Sequence, residues 1–206
     1  MADLSYLRPN QLRQQVHHEH QWLLWLGLPF MGLPALFGFF FFQFGLGLWL
    51  TMLAIFWRRH DQRLQGALGE DMALGQPQAY PGSLIGLPDN YIILNQVLVP
   101  FKDSYREFDF IVVGPNGIFV IEIKHHRGHI RGNETDKVWR QKKRSRTGHI
   151  YENDMRNPVA QVKSAIYALK QYLASHGANN WLQGVVVFTN PECEFEIGET
   201  SVPVLT

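Results

Sequence analysis

A single cysteine, Cys193, stands among the 206 residues, so no disulfide can close within the chain. That fits a reducing compartment. Charge of one sign is missing too: 19 Lys and Arg against 18 Asp and Glu leave a formal net charge of +1. Bulk charge therefore neither argues for nor excludes a polyanionic partner, and local clusters must carry that question. There is no internal repeat, which excludes solenoids and propellers. There is no Gly-rich phosphate loop of the GxxxxGK[ST] type, so nothing points to ATP use. The last absence is local. Trp22 to Trp57, WLLWLGLPFMGLPALFGFFFFQFGLGLWLTMLAIFW, contains no charged residue.

A water-soluble helix needs a polar face, and this stretch offers none. A bilayer core takes about 20 helical residues to cross. The stretch is long enough for one span or for two short helices in a hairpin. Trp22, Trp25, Trp49 and Trp57 sit near its ends, where interface anchors belong. Arg8 and Arg13 precede it and Arg58, Arg59 and Arg63 follow it. Positive charge on both sides predicts a transmembrane hairpin with both ends cytoplasmic, with a single span as the alternative. A cleaved signal peptide does not fit, because the run is too long and starts too late. The FGFFFFQFG run argues against a buried hairpin of a soluble protein. The expected organisation is a polar segment at 1–21, a transmembrane region at 22–57 and a soluble domain at 58–206. The expected location is the bacterial inner membrane, with the soluble domain in the cytoplasm and the lipid bilayer as a partner. In the first segment His17, His18 and His20 invite a metal, but histidines beside a membrane are commonly solvated, and that is the stronger reading.

What is present in the soluble part starts with Asp109 to Lys124, DFIVVGPNGIFVIEIK. Two Val/Ile/Phe runs around a GPNG turn predict a β-hairpin. If Val113 faces Ile118, then Ile111 faces Val120 and Asp109 faces Glu122. Asp109, Ile111, Val113, Ile118, Val120, Glu122 and Lys124 then share one face, and Phe108, Phe110, Val112, Phe119, Ile121 and Ile123 the other. Both faces are apolar, so both should be covered, which predicts an α/β layered fold. Two opposed carboxylates at roughly 5 Å repel, so one takes up a proton or both share a cation. A divalent metal held by Asp109 and Glu122 with Lys124 beside it resolves the conflict. A plain ion pair between Glu107 and Lys124 at a sheet end stands open beside it. The pattern does not choose between them.

The rest of the domain is read more coarsely. Arg58 to Gly75 predicts a helix carrying Glu70, and Tyr91 to Val99 a strand. His129 to Arg131 and Val138 to Arg140 predict short strands. Arg140, Lys142, Lys143, Arg144 and Arg146 form a basic run in a polar, Gly-punctuated stretch. It suits a phosphate backbone, an exposed solvated loop or an anionic lipid surface. His125, His126 and His129 have no clean zinc spacing. Asn157-Pro158 starts a helix with Val159, Val162, Ile166, Leu169 and Leu173 on one face, ended by Gly177. Gly184 to Thr189 predicts a buried strand and Ser201 to Leu205 a last short one, as in a trimmed or shortened family member.

Asp109, a spacer and Glu122-Ile123-Lys124 resemble the D…ExK core of the PD-(D/E)XK nuclease superfamily. More narrowly, the chain resembles the nuclease-related domain called NERD. Gly69-Glu70, Glu107-x-Asp109, Gly117 to Lys124, Gly128-x-Ile130-x-Gly132, Trp139, Asn157-Pro158-x-x-Gln161 and Gly184 to Phe188 carry the likeness. The resemblance implies an α/β, restriction-endonuclease-like mixed β-sheet flanked by helices. It implies Mg²⁺, or Mn²⁺ in its place, held by Asp109 and Glu122, with hydrolysis of phosphodiester bonds in nucleic acid, DNA first. Lys124 would position the attacking water, Glu70 would add a carboxylate from the first helix, and Gln161 a polar contact from a later one. Two departures stand out: Phe108 precedes Asp109 where the PD dipeptide would be, and Ala165 stands where some members carry a tyrosine. The alternative is an inactive nucleic-acid-binding or membrane scaffold protein on the same fold.

Overall fold

The computed structural model describes residues 2–9, 11, 14–15, 39–75, 84–145 and 147–206. His17, His18, His20, Arg13 and residues 22–38 of the uncharged stretch lie outside the described residues. The chain divides into two compact units, Met1–Arg8 with Leu68–Thr206, and Pro9–Ala67.

In the second unit the described chain is helical from residue 39. One continuous helix, α1 (Phe39–Leu74), replaces the expected break between an apolar helix ending at Trp57 and a separate one beginning at Arg58. Neither the change from apolar to charged residues nor Gly45 and Gly47 stops it, because helix propagation needs backbone hydrogen bonds rather than apolar side chains. Leu50, Met52, Ile55 and Trp57 are exposed on it. Among the described residues no helix is long and apolar enough to cross a membrane. The expected transmembrane hairpin falls largely on undescribed residues.

The other unit holds two sheets where one was expected. The first has the order β1 (Ile92–Phe101), β2 (Ser104–Gly114), β3 (Gly117–Lys124), β7 (Leu182–Phe188), β9 (Val204–Leu205). The second runs β6 (Ile150–Arg156), β5 (Val138–Arg144), β4 (Gly128–Gly132), β8 (Cys193–Ile197). Both are mixed: β3 and β7 are parallel, as are β4 and β8, and the hairpin pairs are antiparallel. The crossover from β3 to β7 passes through the second sheet and α2 (Pro158–Ser175).

The layers follow from burial. One face of the first sheet packs, with the inner face of the second, on α2. Val99, Ile111, Val120, Val186 and Phe188 meet Ile130, Trp139 and Met155 there, with Val159, Val162, Ala165 and Leu169 from the helix. The opposite face, Ile93, Phe110, Val112, Ile121 and Ile123, is covered by Ala73 and Leu74 of α1 and by Ala2. Both faces are covered, as the apolar strands require. Ala2 belongs to the core because the first residues lie along β1. Asp3 bridges Ile92, and the Asn95 amide exchanges hydrogen bonds with the Arg8 main chain at 2.7 and 2.9 Å. The start of α2 is capped as its sequence indicates: Asn157 Oδ1 accepts from Val159 N and Ala160 N at 2.9 and 3.2 Å. Ala165 is buried against this core.

Candidate active site

The hairpin has the expected register at its turn, with Val113 facing Ile118 and Ile111 facing Val120. The ladder then stops at Phe110 and Ile121, one step before Asp109 would face Glu122. Instead the Asp109 carboxylate accepts from the Ile123 main-chain N–H at 2.8 Å. The cause lies one strand away. Gln96 stands opposite Asp109 in the β1–β2 register, between the pairs Asn95–Phe110 and Val97–Phe108, and neither residue joins the ladder. Gln96 has φ 48°, a left-handed conformation uncommon for a residue with a side chain.

Side-chain alternation reverses across this break. On β1, Ile93 faces the α1 layer, yet Val97 and Val99 face the α2 layer. On β2, Phe110 faces the α1 layer and Phe108 the α2 layer. The placement of Phe108 beside Phe110 is therefore overturned, because period-two alternation holds only within an unbroken strand.

The break gathers the carboxylates. Glu70, 7% exposed, comes from α1, and its Oε2 accepts from Gln96 Nε2 at 2.8 Å. Gly69 makes that approach possible: a Cβ there would lie 2.8 Å from the His125 Cβ and 3.3 Å from Ile123. Burial, then the Asp109 charge, pushes Glu70 up to about 7 against the opposing Gln96 hydrogen bond. Burial, then Glu122, pushes Asp109 up to about 6, opposed by the Ile123 N–H and Lys124. Lys124 Nζ lies 2.6 Å from Glu122 Oε1, both largely shielded, so the expected Glu107–Lys124 ion pair gives way to one within β3. Glu107 faces Leu98 on β1 and is exposed.

Glu70, Asp109, Glu122 and Lys124 thus form one electrostatic cluster. Gln161 is not hydrogen-bonded to it: its Oε1 is buried without a partner, and its main-chain oxygen accepts from Arg106 at 3.0 Å. Gln96 is the residue that sequence reasoning missed. Its only available signal is a polar pair, Asn95-Gln96, interrupting the apolar strand YIILNQVLV.

The basic run is corrected in part. Arg140, Lys142, Lys143 and Arg144 lie on β5 rather than in a loop, and Arg146 lies outside the described residues. Arg140, Lys142 and Arg144 are exposed on its outer face, between acidic strands. Arg140 faces Arg131 and Asp154, Lys142 faces His129 and Glu152, and Glu196 on β8 pairs with His129 at 2.9 Å. Lys143 is on the inner face, half-buried.

With the site in view, comparison with known families is decisive. The family model of the nuclease-related domain, NERD, matches residues 65–189. The chain belongs to the NERD family. NERD in turn belongs to the PD-(D/E)XK-like nuclease superfamily, so the chain is nuclease-like and built for a nucleic-acid partner. The match takes in Glu70, Asp109, Glu122, Lys124 and Gln161. No curated protein and no solved structure matches the chain.

Domains of this superfamily typically use divalent metals. Among the described residues no three His, Cys, Asp or Glu side chains are grouped to hold a metal ion. The donor set nevertheless suits a hard dication. Mg²⁺ is usually bound through one or two carboxylates, with waters and substrate phosphate completing the shell. Asp109 and Glu122 supply that pair, and the mutual repulsion that raises the Asp109 proton affinity is what a dication relieves. The Ile123 N–H already orients one of the two carboxylates.

Proposed function

We propose that this NERD protein is a membrane-anchored, divalent-metal-dependent nuclease that hydrolyses phosphodiester bonds, with DNA as its substrate class. The observation that carries the reading is the shielded carboxylate cluster at the sheet break, facing a single lysine. Asp109 and Glu122 would hold Mg²⁺ or Mn²⁺, which when bound supplies Lewis-acid polarisation of a phosphate oxygen and an activated water. Lys124 places positive charge beside Glu122, where the attacking water is oriented and developing negative charge is offset. Glu70, held by Gln96, is the partly protonated neighbour near neutral pH, able to take or return a proton at its carboxylate oxygen. The outer stripe Arg140, Lys142 and Arg144 suits the nucleic-acid backbone.

Membrane anchoring rests on the uncharged Trp22 to Trp57 and on the exposed apolar side chains of α1. The inner membrane, with the nuclease-related domain in the cytoplasm, is the location this reading assigns.

The test is cleavage of a DNA and RNA panel by the full chain in detergent, with Mg²⁺ or EDTA, beside Glu122→Ala. Because α1 continues through Arg58 and Ala2 to Arg8 belong to the fold, the full chain is the proper sample. Mg²⁺-dependent cutting lost in the variant establishes the site and its substrate class. Salt-dependent binding without cutting, equal in both proteins, assigns an inactive nucleic-acid-binding member instead. Neither cutting nor binding assigns a membrane scaffold.

A further inference from the structure

Strand geometry splits the basic run of β5 in two. Arg140, Lys142 and Arg144 alternate onto the outer face, and Trp139, Gln141 and Lys143 onto the inner one. Trp139 and Gln141 are 0% and 2% exposed, and Lys143 follows them on the same side, half-buried.

That inner face is fastened to the linker, residues 125–127, by which the chain leaves Lys124. Gln141 Nε2 donates to the Arg127 carbonyl at 2.8 Å. Gly128, at φ +86°, lies so close to β5 that a Cβ would stand 2.4 Å from the Lys142 carbonyl oxygen and 3.6 Å from the Lys143 Cα. The linker is fastened at its other end as well, through His125, whose Nδ1 lies 3.0 Å from Thr189 Oγ1. His126 therefore stands between Lys124 and Lys143. Burial, then Lys124, Lys143 and His125, depresses it to about 4, so the imidazole is neutral at pH 7.

We propose that Lys124, His126 and Lys143 form a phosphate-binding cluster beside the carboxylates, with Lys143 contacting the phosphodiester group to be cut. The anion site stands on this geometry; that its occupant is a phosphodiester rests on the nuclease reading above. Two ammonium groups gathered about one shielded imidazole repel each other, and an anion among them removes the repulsion. A phosphate oxygen accepts charge-assisted hydrogen bonds from both lysines and an N–H from the neutral ring. Lys124, paired with Glu122, is the member shared between the acidic and basic halves of the site. The outer arginines and Lys142 would then touch only distant parts of the backbone.

Inorganic phosphate, and separately a short DNA duplex in EDTA, would be added to the full chain while the His126 ring proton is followed by NMR, assigned with His126→Gln. Wild type is compared with Lys143→Met, Lys143→Arg and the surface control Lys170→Met. The expected result is a saturable His126 shift, weakened about tenfold in Lys143→Met, as the loss of one charge-assisted bond implies. Lys143→Arg should retain most of it, and Lys170→Met all of it. A His126 ring that ignores phosphate, or a shift that Lys143→Met leaves intact, overturns the proposal. Cleavage measured alongside separates the two readings. Phosphate bound through Lys143 by a chain that cuts nothing keeps the anion site and sinks the nuclease. Cutting that survives Lys143→Met unchanged keeps the nuclease and sinks the role given to Lys143. A shift with duplex as well as phosphate identifies nucleic acid as the source of the anion, and a shift with phosphate alone restricts the site to the free ion and overturns the phosphodiester contact.

Discussion

Replacing Glu70 by Gln should make the metal-free protein more stable at pH 8, although it removes a residue of the proposed site. Glu70 has an ordinary value of 4.5 and is pushed to about 7 in the fold. Below pH 4.5 the folded and unfolded chains both hold the proton, and the group contributes nothing. Between 4.5 and about 7 only the folded chain keeps it, so stability falls as pH rises. Above about 7 both forms are ionised and the penalty is complete. At about 1.4 kcal/mol for each unit of pH, the gap is worth roughly 3 kcal/mol. Glutamine keeps an oxygen for the 2.8 Å hydrogen bond from Gln96 and carries no charge for Asp109 to repel. Urea unfolding of the full chain in detergent and EDTA, at half-unit steps from pH 5 to 8, measures the effect. Wild type should lose ground to Glu70→Gln steadily across that range, ending about 2–3 kcal/mol behind. A difference that stays constant from pH 5 to 8 would refute the reasoning, since a packing effect has no reason to follow the proton.

Three other outcomes follow from the same contacts. Gln96→Asn tolerates the left-handed backbone but is too short to reach Glu70, so it should cost about 1–3 kcal/mol by urea unfolding at pH 7. Glu134 is held well down, to about 2, by Lys163 and by the Ser201 N–H and hydroxyl at 2.5 and 2.7 Å. Its stabilisation is present above 4.5 and lost as pH falls toward 2, so Glu134→Gln should unfold at a higher pH in an acid titration and match wild type below pH 2. Deleting residues 2–8 strips the Arg8 partner from the buried Asn95 amide and uncovers the core around Ala2; a drop in melting temperature of several degrees is expected, by circular dichroism.

The hairpin is legible in the sequence because its signals are local: a GPNG turn between two apolar runs sets which residues face each other, and the register at Ile111 and Val113 follows. The break at Asp109 is not legible, because its cause is the backbone of Gln96 on another strand, and glutamine gives no sign of a positive φ. β6, IYENDMR, shows no apolar alternation; only Met155 is buried, and the strand exists because β5 offers it a ladder. The strand character of the basic run could have been read from Trp139-x-Gln141-x-Lys143, but two of those three residues are polar and the alternation hides in an apparently solvated stretch. The helix boundary at Trp57 was drawn where the solvent preference changes, which is not where the backbone changes.

The break in the sheet explains how one lysine and three carboxylates come to share a shielded place. An unbroken hairpin would have put Asp109 and Glu122 directly opposite, at maximal repulsion and with each main-chain group already paired. Releasing Asp109 and Gln96 from the ladder frees both side chains for other partners. The Asp109 carboxylate takes the Ile123 N–H, and the Gln96 amide takes Glu70 from α1. Asn95, next along β1, holds the Arg8 main chain by the same amide chemistry. One dipeptide thus fastens the segments before and after the long uncharged stretch to the strand that faces Asp109. The strained φ of Gln96 is retained because its side chain and that of Asn95 are both satisfied only in that conformation, with Glu70 on one and Arg8 on the other. Strain, buried charge and the family match therefore fall on the same few residues, and that coincidence is what separates a working site from charged strand ends that merely terminate a sheet.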